Sequence, residues 1–161
     1  MEKSKINWYD GEELAIFFDK MPIVLERYVT PFSTEEEIKD IKKFPFMCQS
    51  GVKVTIFDHT DTIIYKFSIP DGYEWDGASI PRLFHRVIGA NTNNNFLIAS
   101  MLHDYTCENK CCINYNQSLS TNILNACLVT AKVNPIKRFL IKNSVALWQT
   151  LVCDWDGDED Y

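Results

Sequence analysis

Asp76-Gly77-Ala78-Ser79-Ile80-Pro81-Arg82 and, further along, His103-Asp104-Tyr105 bring a carboxylate, a hydroxyl, a guanidinium and an imidazole onto two neighbouring stretches of one short chain. Apolar packing has no use for that set. In a bend made of Gly and Ala the side chains are sparse, so Asp76 and Ser79 project with little cover and a ligand can approach the backbone. Pro81 suits a first helical position, which leaves free N–H groups near Ser79 to hold an anion or to be capped by Asp76 or Ser79. Taken alone, the bend has a plain structural reading: Asp76 caps a helix, Ser79 satisfies a backbone group and Arg82 forms an ion pair. The His103-Asp104 pair changes the balance, because it sits in an otherwise apolar helical pattern where burial must be met by polar partners. Arg82 for Asp104 and Asp76 for His103 are the expected partners. The chemistry such a pocket offers is hydrolysis: His103 as general base or metal ligand, Asp76 and Asp104 to orient it or bind a divalent ion, and Arg82 to hold an anionic group. Adjacent helical residues point about 100° apart, so His103 and Asp104 converge on one ion only near a helix end.

Two other metal sets can be drawn. His103, Cys107 and Cys111 are spaced four apart, which on a continuous helix is one face and a zinc-like spacing, with Cys112 nearby. Glu108-Asn109-Lys110 is expected to end that helix, and paired Cys hooks from separate segments are missing. His85, His103, Asp104 and Asp154 mimic the order of a helical His-Asp phosphohydrolase, but the spacing from His85 and the tail position of Asp154 argue against it.

The elements that must position these groups are legible in part. Val52–Phe57 and Thr62–Phe67 are β-branched and aromatic runs joined by Asp58-His59-Thr60-Asp61, a β-hairpin signature. Trp8–Phe18 contributes to the core, and Met21–Tyr28 reads as strand or short helix. Ser33 ahead of Thr34-Glu35-Glu36-Glu37 has N-cap chemistry, with Glu36 in the capping-box place, so a charged helix over 34–43 follows as an insertion with only Ile38 and Ile41 apolar. Helices are expected from Pro81 to Ile88 and from Phe96 to Cys107. A third runs through Ile123 to Ala131, capped by Ser118 or Ser120. A fourth opens at Asn134-Pro135 and runs through Ile136, Phe139, Leu140, Val145, Leu147, Trp148 and Leu151. The fold class is therefore α+β: an N-terminal β-hairpin or small antiparallel sheet packed on a C-terminal bundle of about four helices, one domain over 1–161 with an acidic, solvated tail at 154–161.

Composition excludes several classes. With 16 basic against 22 acidic residues and a net charge of −6, a generic nucleic-acid binder is disfavoured, whereas a protein partner with a basic surface fits. The longest apolar runs fall far short of the roughly 20 residues that span a bilayer, so no membrane role is expected. Six cysteines without an export signal read as reduced thiols, and a cytoplasmic setting is expected.

The stretch Ile69-Pro70-Asp71-Gly72-Tyr73-Glu74-Trp75-Asp76-Gly77-Ala78-Ser79-Ile80-Pro81-Arg82, with Ala99 and His103-Asp104-Tyr105, resembles the signature of the phage and prophage proteins of domain-of-unknown-function family 1353. Its pattern is VP-G-aromatic-x-x-D-x-A-S-V/I-P-R, a helix, then A-x-x-x-H-D-x-x-Y. The resemblance covers roughly Val52 to Trp148 and implies a phage or mobile-element origin and a small α+β domain in a bacterial host cell, without an established reaction. Two positions depart from the pattern. Ser120-Thr121 stands where an Ala-Asp pair usually opens the third helix, removing a carboxylate, and Cys107 stands where an aromatic is usual. Two functions follow as expectations. The first is an accessory protein with a polar pocket of Asp76, Ser79, Arg82, His103 and Asp104 doing metal-dependent or metal-free hydrolysis. The second is a non-catalytic acidic protein that inhibits a host defence complex.

Overall fold

The computed structural model describes residues 4–7, 13–77, 94–130, 132–152 and 155. Among the described residues seven short strands precede three long helices, and the fold is α+β. Strands β1 (Ser4–Asn7), β2 (Glu13–Phe18), β5 (Val52–Phe57) and β6 (Ile63–Ile69) form one antiparallel sheet in the order β1-β2-β5-β6. Strands β3 (Ile23–Glu26), β4 (Phe46–Gln49) and β7 (Glu74–Trp75) form a second, in the order β3-β4-β7. The expected hairpin is β5–β6, with Val52 opposite Ile69 and a bulge at Ile56/Phe57. Its alternation drives Val52, Val54 and Ile56 into the core. Met21–Tyr28, open between strand and helix in the sequence, supplies β3, and the second sheet that it starts has no counterpart in the sequence expectation.

Helix α1 (Glu35–Lys43) buries none of its residues. Its cap lies one residue later than expected: Thr34 is the N-cap and Glu37 closes the capping box, Thr34 N–H donating to Glu37 Oε2 at 2.7 Å. Ser33 is spent elsewhere, its Oγ accepting from Thr30 N–H at 3.0 Å in the preceding turn. The helix is tied down by Arg27, which donates to Asp40 Oδ2, Glu74 Oε2 and the Phe44 carbonyl, all at 2.9–3.0 Å.

In the C-terminal half, α2 (Asn94–Glu108), α3 (Gln117–Thr130) and α4 (Pro135–Val152) are the described helices; the one expected over 81–88 lies outside the described residues. α2 ends at Glu108 and a 3₁₀ turn over Lys110–Ile113 follows, so Cys111 leaves the face that carries Cys107. The cap of α3 is Asn116, whose Oδ1 accepts from Leu119 N–H at 2.9 Å, rather than Ser118 or Ser120. Ser120 is buried at the contact with α2. Asn134 Oδ1 caps α4 through Ile136 N–H at 2.9 Å, as its Asn-Pro start predicts. On α4 the buried face is Ile141, Val145 and Gln149, spaced four apart, while Ile136, Leu147 and Leu151 of the expected apolar set are exposed. Every residue from Leu119 to Leu128 is buried, so α3 is the central helix, packed on α2, α4 and β1.

One hydrophobic cluster runs from β2 and β5 through Trp75 to all three long helices. Aromatic rings sew α2 to the sheets: Tyr105 stacks on Phe67 and meets Tyr73 edge-on, and Tyr73 stacks on Trp75. Trp75, 1% exposed, donates its indole N–H to Ser100 Oγ at 3.0 Å. No helix among the described residues is long and apolar enough to cross a membrane.

Candidate functional site

Asp76 follows directly from the anchored Trp75. The next residue, Gly77, has φ +92°, and a Cβ there would run into the Phe46 ring, so only glycine makes this turn beside that ring. The bend is thus fixed by packing on both sides of Asp76. Across from it, α2 presents His103, Asp104, Cys107 and Glu108, and α4 presents Trp148 and Gln149; together with Phe44, the residue that ends α1, these line a cavity of about 200 Å³. Asp76 and the His103-Asp104 pair, nearly thirty positions apart in sequence, share that cavity. Ser79, Arg82, His85 and Asp154 lie outside the described residues.

His103 and Asp104 are 5% and 7% exposed, and both open on the cavity. The partners of the imidazole are not those expected from sequence. Its Nδ1 lies 3.4 Å from Asp104 Oδ1, and its Nε2 lies 2.7 Å from the side-chain nitrogen of Gln149. The Cys107 sulfur is 3.6 Å from Nε2 and 4.0 Å from Nδ1, nearer to Nε2. Gln149 is itself 1% exposed, 3.0 Å from the Cys107 sulfur and 3.4 Å from Ser120 Oγ; Thr121 Oγ1–H donates to its Oε1 at 2.9 Å. Behind the ring, Thr106 Oγ1–H donates to the His103 carbonyl at 2.9 Å and sits 2.9 Å from Ser120 Oγ. Three helices thus meet in a buried polar network that has the imidazole at its cavity end.

Burial pushes the His103 imidazole down, but hydrogen bonds to Asp104 and Cys107, with the charge of the Asp104 carboxylate, outweigh it and lift the ring from 6.5 to about 9. A protonated ring needs an acceptor at Nε2. Gln149 supplies one by turning its amide end for end, with its nitrogen then donating to Thr121 Oγ1, whose hydroxyl has a second acceptor in the Gln117 carbonyl at 3.2 Å. The network is therefore satisfied with the ring charged or neutral. Glu108, at the cavity edge, is raised by burial and accepts from Tyr73 O–H at 2.9 Å.

Of the expected metal ligands, His103, Asp104, Asp76 and Cys107 line one cavity, whereas Cys111 is exposed on the 3₁₀ turn. Among the described residues no three His, Cys, Asp or Glu side chains gather closely enough to hold a metal ion. Cys48, Cys107, Cys111, Cys112 and Cys127 are free thiols.

Sequence reasoning missed Gln149, Trp148, Phe44 and Glu108. Gln149 had a signal: it is the polar member of the Ile141, Val145, Gln149 stripe, and a polar side chain at a core position needs a partner. Ser120 and Thr121, noted for a missing carboxylate, are the residues that hold Gln149.

Residues 53–145 match the family described as "Protein of unknown function (DUF1353)". The uncharacterized protein y4jT of Sinorhizobium fredii is 43% identical over 54 residues, which is 34% of this chain and 16% of that protein. The chain therefore spans well under two thirds of that relative's length. No solved structure matches.

Proposed function

The chain belongs to the DUF1353 family, and from that premise and the cavity we propose that it is a hydrolase in which Asp104 and His103 carry the proton transfers. One observation carries this reading: a carboxylate and an imidazole that are both more than nine-tenths buried open together on a cavity that a third group, Asp76, also lines. Buried polar groups placed only for folding are normally closed off by their partners, not exposed to a void. Asp104, beside a ring that its own charge helps keep protonated, is the acceptor for a proton from attacking water, and the imidazolium stabilises the negative charge that develops. Asp76 is the second carboxylate, placed to orient the water or, with a divalent ion, to hold it. Ser79 and Arg82 are assigned from sequence alone, Arg82 to hold an anionic group of the substrate. The mobile-element and cytoplasmic setting is supported by the resemblance of the two motifs and by the free thiols.

The test is a panel of p-nitrophenyl esters, phosphates and glycosides offered to the wild type and to Asp104→Asn, with and without added divalent cations. Hydrolysis of one class, lost about 100-fold or more in Asp104→Asn at a temperature where the variant is still folded by circular dichroism, is expected. Equal rates for the two proteins on every class would overturn the assignment.

A second reading, an acidic protein that docks on a basic partner such as a host defence complex, is favoured by the exposed Glu35 and Glu36 at the start of α1. Binding that weakens steeply with added salt, and that is lost in Glu35→Gln/Glu36→Gln, is its signature.

A further inference from the structure

We infer that Cys107 is a nucleophile of this site and that the substrate is a small acyl compound, an ester or thioester, whose acyl group passes through a thioester on Cys107. The inference rests on the hydrolase reading and adds a covalent step to it. Three observations support it. Cys107 lines the cavity, unlike the buried Cys48 and Cys127 or the exposed Cys111. Its sulfur is within hydrogen-bond reach of a base, His103 Nε2 at 3.6 Å, and the base is in turn oriented by a carboxylate, Asp104 at Nδ1. That is the arrangement by which a thiol is activated and its base aligned. The sulfur also has polar neighbours in Gln149 at 3.0 Å and Ser120 at 3.6 Å, so it is not packed as a small apolar group. The cavity admits a small acyl group and its walls Phe44 and Trp148 are aromatic, which suits a compact, partly apolar acyl compound.

The first step is open to molecules in which the His103 ring is neutral, a fraction that grows as pH rises toward about 9: the thiol proton passes to the ring, and Gln149 turns its amide so that its oxygen meets the new N–H. The thiolate attacks the acyl carbon; the S–C bond forms and the C=O pair moves to oxygen. When the intermediate collapses, the bond to the leaving oxygen or sulfur breaks and that atom takes the proton from the imidazolium. In the second step a water gives its proton to the His103-Asp104 pair as its oxygen attacks the thioester carbon, the S–C bond breaks, and the free acid and the thiol are released.

The experiment uses the full chain with p-nitrophenyl acetate, quenched in acid and mapped by peptide mass spectrometry, beside Cys107→Ser and Asp104→Asn. We expect one acetyl group on Cys107, formed about tenfold or more faster than on the solvent-exposed Cys111, and absent in Cys107→Ser at a melting temperature close to wild type. Acetylation of Cys111 ahead of Cys107 overturns the inference. Hydrolysis that survives in Cys107→Ser and is lost in Asp104→Asn overturns the covalent step and leaves the hydrolase reading standing. Rapid acetylation of Cys107 with no turnover supports the nucleophile and overturns the hydrolase reading. Should Cys107→Ser fold poorly, iodoacetamide on the wild type decides the same question, with Cys107 alkylated before Cys111 expected and the reverse order fatal to it.

Discussion

At the scale of single residues, the turn after Trp75 and the imidazole behind it are the points where one atom decides the outcome. Gly77→Ala forces a Cβ into the Phe46 ring at positive φ. Strain of that backbone type costs roughly 1–3 kcal/mol before any clash is counted. Chemical denaturation should show at least that loss, and the displaced turn should move Asp76 as well. His103 makes stability depend on pH. Its ring is raised in the folded state from 6.5 to about 9, so the stabilisation it gives is fully present below about 6.5 and fades as pH climbs through about 9. Urea midpoints taken between about pH 6 and about pH 9.5 should therefore fall for the wild type, and fall less for Asp104→Asn, which removes a main cause of the shift. Parallel curves for the two proteins would show that Asp104 is not what raises the ring.

At the scale of elements, polar side chains on the apolar helices report what each helix touches. Ser100 on α2 accepts the Trp75 indole N–H and donates to the Leu97 carbonyl. Ser100→Ala should cost about 1–3 kcal/mol by stranding a buried donor. Asn125 on α3 is the opposite case. It is 1% exposed and neither atom of its amide has a partner among the described residues. Asn125→Val, apolar and nearer in volume, should leave the fold intact and raise the melting temperature; a fall would count against the amide being unsatisfied. These elements were unequally legible. The β5–β6 hairpin could be read because period-two alternation and a polar turn are local signals, and α4 because Asn134-Pro135 marks its start. The second sheet could not: β7 is two residues long and pairs with β4 far away in the chain, a register no local pattern encodes. The cap of α1 slipped by one residue because Ser33 and Thr34 have equivalent hydroxyls, and only the Thr30 turn decides which is free. In the site, the His-Asp pair stood out by type, but its partner Gln149 lies 46 positions away, and such a pairing is set by helix packing.

At the scale of the whole molecule, one core joins sheets and helices, with Trp75, Ile56, Met101 and Ile123 among its largest fully buried side chains. Unfolding should accordingly be a single cooperative transition, with tryptophan fluorescence and far-UV circular dichroism sharing one midpoint; two separated midpoints would divide the chain into independent units. Arg27 extends that unity to the charged helix that its sequence presents as an insertion. From the position just after β3 the guanidinium grips a carboxylate of α1, a carboxylate of β7 and the carbonyl of Phe44, and Phe44 is part of the cavity wall. Helix α1, acidic in its first turn and with no buried residue, is thereby joined to the wall of the cavity. A bound macromolecule that pulls on α1, or a truncation that removes it, should therefore loosen the cavity wall at Phe44.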